Sequence, residues 1–432
     1  MIKTKVKTKD ENIGTNAGEN LARSDKHLLI LLIILLFGCS DNIKKQNLNS
    51  IETISIDMRK DRMELFADIS SLIDTSYFEI IPLETKHECL IAKIKNIYLI
   101  NDKIVVYDEK ANGAYIFNRD GSYRAKIHAV GQGPGEYPNW VNDMNASENY
   151  ISVLTRPGIM LYDYDGKYVK TIPRDNRWGQ NVFTFDEINY YVVNCWSFSS
   201  NGGPEGCYHL FKYDTEQNVL QSWLPFSIND AVNNRGWTLD KFYNIYDNKA
   251  LIYISSVDTI YCLTSDSEVY PRYAIDISHR KLPDNLRTGD GTTALLAAQK
   301  NDYEMGVFNV VETSRYLFLK LLGGIAIYDK KEKEIIATAR LTFKIASFWD
   351  EIVFTINYSL NDKNEVITHL DGSSFYSIKT FITEQKEHKL WKLGKGTNPF
   401  QKELFKIAQN FKDEEENPVL IIIKMKDEGE RY

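Results

Sequence analysis

Seven histidines, five cysteines and one glycine-rich stretch are the residues of this chain best suited to chemistry. The histidines, His27, His87, His128, His209, His279, His369 and His388, stand singly, with no HxH or HExxH spacing that would turn two imidazoles to one face of a strand or helix. The carboxylate pairs Asp108/Glu109 and Asp163/Asp165 flank expected turns, where acidic side chains commonly bond their own backbone. No G-x-S-x-G nucleophile elbow occurs, and "LLGGIAIYD" has glycines but no nucleophile. The reading is therefore of no catalytic residue, no metal and no cofactor.

The glycine-rich stretch "HAVGQGPGEYPNW" (128–140) holds Gly131, Gly133, Pro134, Gly135 and Glu136. A dinucleotide fingerprint needs G-x-G-x-x-G between a strand and a helix, and a phosphate-binding P-loop needs Gly-Lys-Ser/Thr. Here a proline interrupts the glycines, no Lys-Ser follows, and "NWVNDMNASENYISVL" opens another strand. Without a helix N-terminus there is no ready-made anion site. The stretch is predicted to be a structural loop, its glycines letting the backbone turn sharply between two strands.

Among the cysteines, Cys39 has the most specific setting. Lys3, Lys5, Lys7, Lys9, Arg23 and Lys26 precede an apolar run, Leu28 to Phe37, that would span about 15 Å as a helix, roughly half a bilayer core. That is short for a membrane anchor and right for a secretory h-region. It ends in Leu36-Phe37-Gly38-Cys39. The stretch "CWSFSSNGGPEGC" makes Cys195 and Cys207 a candidate disulfide across a hairpin, with free buried thiols as the alternative. No CxxC exists to suggest a zinc knuckle.

The elements that must position these residues repeat along the chain. "AYIFNRDGSYRAKI" (114–127) and "IMLYDYDGKYVKTI" (159–172) align Phe117, Asp120, Gly121 and Tyr123 with Tyr162, Asp165, Gly166 and Tyr168. An Asp-Gly pair between alternating apolar strands is a hairpin signal. The pattern continues with marker aromatics Phe211, Tyr261, Tyr328 and Tyr376. Their spacing is about 45 to 50 residues apart from one interval of about 67, and a period near 45 is that of a four-stranded propeller blade. The long interval holds "TTALLAAQKNDYEMG", predicted as a short helix between blades. Six markers predict an all-β, six-bladed β-propeller with short helical insertions. "SYFEIIPLET" (76–85) and "NPVLIIIKMK" (417–426) are the apolar strands expected to close the ring, since an unclosed ring exposes strand edges. Just before the second, Phe400, Leu404, Ile407, Ala408 and Phe411 share one helical face. The expected organisation is a leader peptide over 1–38, a tether and N-terminal segment over 39–75, and the propeller over 76–432.

In such a ring His128, His209 and His279 fall in different blades, but His128 and His279 stand at outer-strand ends, away from the axis. The formal net charge of −7 excludes a nucleic-acid partner, whose phosphates call for a basic face. Trp140, Trp178, Trp196 and Trp237 lie in expected loops or strand ends, where their rings either pack on the rim or stack on a sugar.

Two resemblances follow from these motifs. Leu36-Phe37-Gly38-Cys39 resembles the lipobox of bacterial lipoproteins, which implies a signal peptide ending at residue 38 and a lipidated Cys39 anchoring the chain to the outer membrane of the cell envelope. "VGQGPGEYPNWVNDM", "FEIIPLET", "DTIY" (258–261) and "NPVL" (417–420) resemble a Bacteroidetes family of six-bladed propeller lipoproteins, related in pattern to NHL-repeat and TolB-like propellers. The resemblance implies fold more than activity. It leads to the expectation of a lipid-anchored binding or scaffold module for a peptide, glycan or protein partner. The alternative is a metal-assisted hydrolase or lyase with its site in the central channel.

Overall fold

The computed structural model describes residues 51–58, 62–156, 158–174, 179–197, 207–216, 218–234, 241–287, 291–343, 352–354, 358–359, 364–387 and 399–426. Cys39 and the leader lie outside the described residues, as do Trp178, Trp237 and His388.

Six sheets radiate around one axis. Blade 1 is built from β4 (Ile94–Ile100), β5 (Lys103–Asp108), β6 (Gly113–Asn118) and β7 (Tyr123–Ile127). Blade 2 follows with β8 (Asp143–Ala146), β9 (Ile151–Leu154), β10 (Gly158–Tyr162) and β11 (Tyr168–Pro173). Blade 3 comprises β12 (Asn181–Thr184), β13 (Tyr190–Val193), β14 (Tyr208–Tyr213) and β15 (Val219–Pro225). Blade 4 has β16 (Tyr243–Tyr246), β17 (Lys249–Ile252), β18 (Thr259–Thr264) and β19 (Val269–Asp276). Blade 5 has β20 (Asn309–Glu312), β21 (Tyr316–Leu321), β22 (Gly324–Asp329) and β23 (Glu334–Phe343), with β24 (Ile352–Phe354) added to β23. All four main strands of each blade run antiparallel to their neighbours, from the axis outward.

Blade 6 closes the ring. Its strands β25 (Tyr358–Ser359), β26 (Glu365–Leu370) and β27 (Val419–Met425) come from the end of the described chain, and its outer strand is β3 (Ile73–Pro82) from the beginning. β3 pairs antiparallel with β27, Val419 opposite Pro82 and Ile423 opposite Phe78, so the two apolar segments expected to seal the ring do so. Asn417 secures the seam: buried, it donates from Nδ2 to the carbonyls of Glu84 (2.8 Å) and Cys89 (2.9 Å) and accepts from Ile91 N (2.9 Å). The preceding segment, expected as tether, supplies β1 (Glu52–Ser55) and β2 (Arg62–Asp68), which run parallel to β19 and β23 and cover the outer edges of blades 4 and 5. Covering an edge removes its unpaired N–H and C=O groups.

The core is six seams. One apolar cluster fills each gap between successive blades, as Tyr107, Ile116, Met144 and Val153 do between blades 1 and 2, and Ile81, Val106, Phe117 and Ile422 between blades 6 and 1. Strands in these seams are buried on both faces, which is why they read as runs of Ile, Val, Leu and Tyr rather than alternating with polar residues. The Asp-Gly turns lock successive blades together. Gly121 (φ +86°) turns directly under the carbonyl of Pro82, and Gly166 (φ +76°) under that of Lys126, so each turn abuts the outer strand of the preceding blade. A Cβ at Gly121 would lie 2.1 Å from the Pro82 oxygen.

Five of the six marker aromatics, Phe117, Tyr162, Phe211, Tyr261 and Tyr328, lie on the third strand of their blades. Tyr376 does not: it sits on a helix, Gly372–Glu387, where a strand was expected. That helix and the next, Pro399–Asn410, form the connection between β26 and β27. They bury Phe375, Ile378, Ile382, Phe400, Leu404, Phe405 and Ala408 against the seam between blades 5 and 6, while Phe78 meets Phe400 edge-on at 5.3 Å. The helix expected in the long interval spans Gly291–Asn301.

Candidate functional site

The loop 128–140 joins outer strand β7 to inner strand β8, as its position in the repeat predicts. Tyr137 N donates to Ala129 O (2.8 Å) and Gly131 N to Tyr137 O (2.9 Å), which closes the loop on itself. Glu136 folds back, its carboxylate accepting from Gly133 N at 2.7 Å. A phosphate would need that amide, and the chain's own carboxylate already holds it. Gly135 (φ +79°) lies against the ring of Tyr168, with its carbonyl accepting from Tyr162 Oη at 2.8 Å. Each feature ties the crossover to a blade.

The histidines do not converge. His128 is exposed, His279 faces Asp57 at 3.6 Å, and His209 is buried between Trp196 (ring centroids 4.6 Å apart) and Phe226 (4.5 Å). His209 Nδ1 lies 2.9 Å from the Asn194 carbonyl, and burial pulls its pKa down to about 4, so it is neutral at physiological pH. Cys195 and Cys207 are free and buried rather than bonded. The pairing of β13 with β14, Val193 opposite Leu210 and Asn194 N donating to His209 O, puts Cys195 opposite Tyr208 instead. A slip of one residue turns the two thiols to opposite faces of the sheet. Trp196 Nε1 donates to Ser255 O (2.8 Å) as part of the blade packing, whereas Trp140 is 68% exposed on the crossover into β8.

Polar side chains gather instead at the axis. Inner strands β4, β8, β12, β16, β20 and β25 stand around it, and the residues at their leading ends stitch blade to blade. Asn96 Nδ2 donates to Asp143 Oδ1 (3.2 Å), Val182 N to Asp143 Oδ2 (3.1 Å), and Phe242 N to Asn181 Oδ1 (2.9 Å). Asn181 also hydrogen-bonds the Asp143 carboxylate. Two residues further along the strands a second tier forms. Asn145 Nδ2 donates to Tyr243 Oη (2.8 Å), Tyr243 Oη to Val182 O (3.2 Å) and Tyr98 Oη to Met144 O (2.6 Å). Tyr98 of blade 1 and Tyr243 of blade 4, on opposite sides of the ring, come within hydrogen-bonding reach of each other across the axis.

Two cations complete the collar. Lys241, just ahead of β16, places Nζ 4.9 Å from the ring centroid of Tyr243 and 5.6 Å from that of Tyr98. Lys95 on β4 lies 5.5 Å over the ring of Tyr107 and 3.4 Å from Asn142 O. Burial raises Asp143 to about 6 against the pull of Lys95 and Lys241. Burial lowers Lys241 to about 8, with Asp143 opposing. Both tyrosines are pushed well above their ordinary value by burial. With three protein donors on its two oxygens, Asp143 has its lone pairs engaged in joining blades 1, 2 and 3. That suits a structural strut better than a general base or metal ligand.

Sequence reasoning did not single out Asp143, Asn145, Lys95, Tyr98 or Lys241. The signal was present: Asn96 and Tyr98 recur one blade later as Asp143 and Asn145, 47 residues on, polar at alternate positions of an inner strand.

A closed ring of six four-stranded blades around a hydrogen-bonded polar collar defines the molecule as a six-bladed β-propeller. The chain belongs to the family described as a domain of unknown function, DUF4934, which matches residues 53–424. No curated protein matches it. Among solved structures it is similar to an exported protein of Bacteroides fragilis (16% identity, 88% of this chain and 100% of that one, TM-score 0.62). It is also similar to a DUF4221 family member from Bacteroides vulgatus (10%, 81% and 96%, TM-score 0.45). A third, a virginiamycin B lyase from Staphylococcus aureus, shares 13% identity over 60% of this chain and 73% of that one, with a TM-score of 0.33.

Proposed function

We propose that this propeller is a lipid-anchored module of the bacterial cell envelope, held at the outer membrane through Cys39, that binds or scaffolds an envelope protein, peptide or glycan. The observation that carries this reading is the commitment of the axial polar groups to one another. Asp143, Asn96, Asn181, Asn145 and Tyr243 spend their hydrogen bonds holding blades in register. A site for chemistry would leave such groups open to a substrate. The lipobox-like Leu36-Phe37-Gly38-Cys39 supports the anchor, and two acyl chains on one cysteine suffice for stable attachment. The NHL-like and TolB-like cast of the blade junctions fits a scaffold reused for binding.

The test is chemical cross-linking in intact envelopes of a cell expressing the full chain, followed by capture and mass spectrometry. A specific partner cross-linked to the crossover loops, and a diacylated Cys39 at the mature N-terminus, are the expected results. Stoichiometric zinc or calcium in the purified full chain, lost on mutation of axial side chains, would overturn the reading in favour of a metal-assisted hydrolase or lyase. An unmodified Met1 would remove the anchor.

A further inference from the structure

We infer that the outer edge of blade 2, strand β11, is the docking edge for an extended, acidic segment of a partner protein, which adds to the sheet as a further strand. The inference rests on the proposed role as a binding module and names where the partner lies and what chemistry it presents.

The described covering elements gather on one half of the ring. β1 and β2 lie along the outer strands of blades 4 and 5, and the helices Gly372–Glu387 and Pro399–Asn410 pack on the seam between blades 5 and 6. Blade 2 stands opposite blade 5, in the middle of the other half. Among the described residues β11 pairs with β10 alone. The outer strands beside it are less open. Arg124 on β7 holds the turn of blade 2 against that strand, donating to Tyr164 O at 3.1 Å and to Asp165 at 2.7 Å. β15 breaks its extended course at Leu224 (φ +58°), next to Pro225.

β11 offers a ladder. Thr155 N donates to Gly158 O at 2.9 Å, so the backbone groups of Gly158 face β9. Alternation along the antiparallel pair then turns Ile172 inward, opposite Ile159, and points the N–H and C=O of Thr171 outward, where a further strand would take them. A proline in an outer strand does not bar such an addition: β19 carries Pro271 and still takes β1 along Tyr273–Asp276. Lysines alone would suit an edge built only to keep other chains away. Here Tyr168 (40% exposed) and Val169 (42%) stand between Lys167 and Lys170, in a strand with four of its six residues exposed. Apolar side chains at an edge invite pairing rather than prevent it.

Charge decides the occupant. Lys126, Lys167 and Lys170 are exposed and, among the described residues, hold no ion pair. The neighbouring carboxylates are engaged: Asp163 accepts from Asp165 N and Lys167 N, both at 2.9 Å, and Asp165 pairs with Arg124. This basic strip stands on a chain of formal net charge −7, and it draws in carboxylates. The chain's own added strand uses the same chemistry, since Glu52 of β1 accepts from Lys333 Nζ and, at 2.6 Å, from Tyr328 Oη. A lipid surface would take the lysines and leave the ladder unmet, which favours a polypeptide. The crossover loop 128–140 flanks the edge, with Gly135 against the Tyr168 ring, so a partner on β11 also meets that loop.

The test selects a random dodecapeptide phage library on the full chain in mild detergent, then measures synthetic copies of the enriched peptides by fluorescence anisotropy. The enriched sequences should place Asp or Glu between β-branched residues, and hydrogen exchange should show the Thr171 amide protected on binding. Thr171→Pro removes the outward N–H without touching the β10 ladder, and should weaken binding at least about tenfold. Lys167→Glu combined with Lys170→Glu should weaken it as much, and decides the matter if thermal melts show the proline variant unfolded. Peptides that bind these variants as well as wild type overturn the inference. So does lysine-dependent binding to phosphatidylglycerol vesicles without peptide binding, which would reassign the strip to a membrane. A library that yields no peptide, alongside a partner cross-linked in the envelope, overturns the inference and leaves the module reading standing. Peptides dependent on β11 without a cross-linked partner do the reverse.

Discussion

Replacing Asp143 with asparagine tests the electrostatics of the collar most directly. Asp143 is fully buried, and burial lifts its pKa from 3.8 to about 6. Between those values the folded chain holds a proton that the unfolded chain has released, so folding stability falls as pH rises from 4 to 6. The shift corresponds to about 3 kcal/mol. The wild-type curve hides this, because His209 acts oppositely over nearly the same window. Its pKa is lowered from 6.5 to about 4, so the unfolded chain holds the extra proton and stability rises with pH. The difference between Asp143→Asn and wild type isolates the carboxylate. Asparagine keeps the shape and one acceptor for Val182 N, and the Asn96 amide can turn over to match it. The variant should equal wild type near pH 4 and exceed it by about 3 kcal/mol at pH 7, a figure that already contains the attraction to Lys95 and Lys241. Urea denaturation followed by tryptophan emission at pH 4, 5, 6 and 7 reads this as a midpoint shift of about 1 M. A difference curve flat within about 0.5 kcal/mol from pH 4 to 7, or a variant less stable at pH 7, would refute the reasoning.

Three further outcomes follow from the seams and turns. Gly166→Ala must place a side chain at φ +76° with its Cβ 2.5 Å from the Lys126 carbonyl, and should cost about 2–4 kcal/mol in urea melts. Gly133→Ala meets only the movable Glu136 carboxylate at 3.1 Å and should cost under about 1 kcal/mol; equal costs would sink the argument from the turns. Asn417→Ala strands two buried carbonyls and an amide at the ring seam, and should cost about 3 kcal/mol or more and expose β3 to limited proteolysis. Cys89, Cys195, Cys207 and Cys262 should resist maleimide in the folded protein, and all four should react after denaturation without reductant. Continued protection of Cys195 and Cys207 would reveal a bond between them.

What could be read in the sequence and what could not divide along a physical line. Blade count, closure and the glycine loop were legible because each is written locally. The Asp-Gly turns at 120–121 and 165–166 stand one blade apart, and the third-strand aromatic carries that period on through blades 3, 4 and 5. Tyr376 misled because aromatic spacing alone does not separate a strand from a helix; its neighbours Phe375, Ile378 and Ile382 show the helical interval that should have decided. The choice between a Cys195–Cys207 bond and free buried thiols was not legible for a different reason. It depended on register, and one residue of slip reverses a side chain's face without altering the composition of the hairpin.

The collar was illegible for a third reason, which bears on function. Lys95, Asp143 and Lys241 come from three blades, and their only trace in the sequence is the 47-residue recurrence of polar positions from Asn96 and Tyr98 to Asp143 and Asn145, which does not say that they meet. In a propeller the axis is the one place every blade shares, so residues separated by two or three repeats become neighbours there while remaining strangers in sequence. The markers that reveal the repeat are those the seams require of every blade. Those that differ from blade to blade, a carboxylate in one, a lysine in another, a tyrosine in a third, are free of that requirement and so carry whatever is particular to this chain.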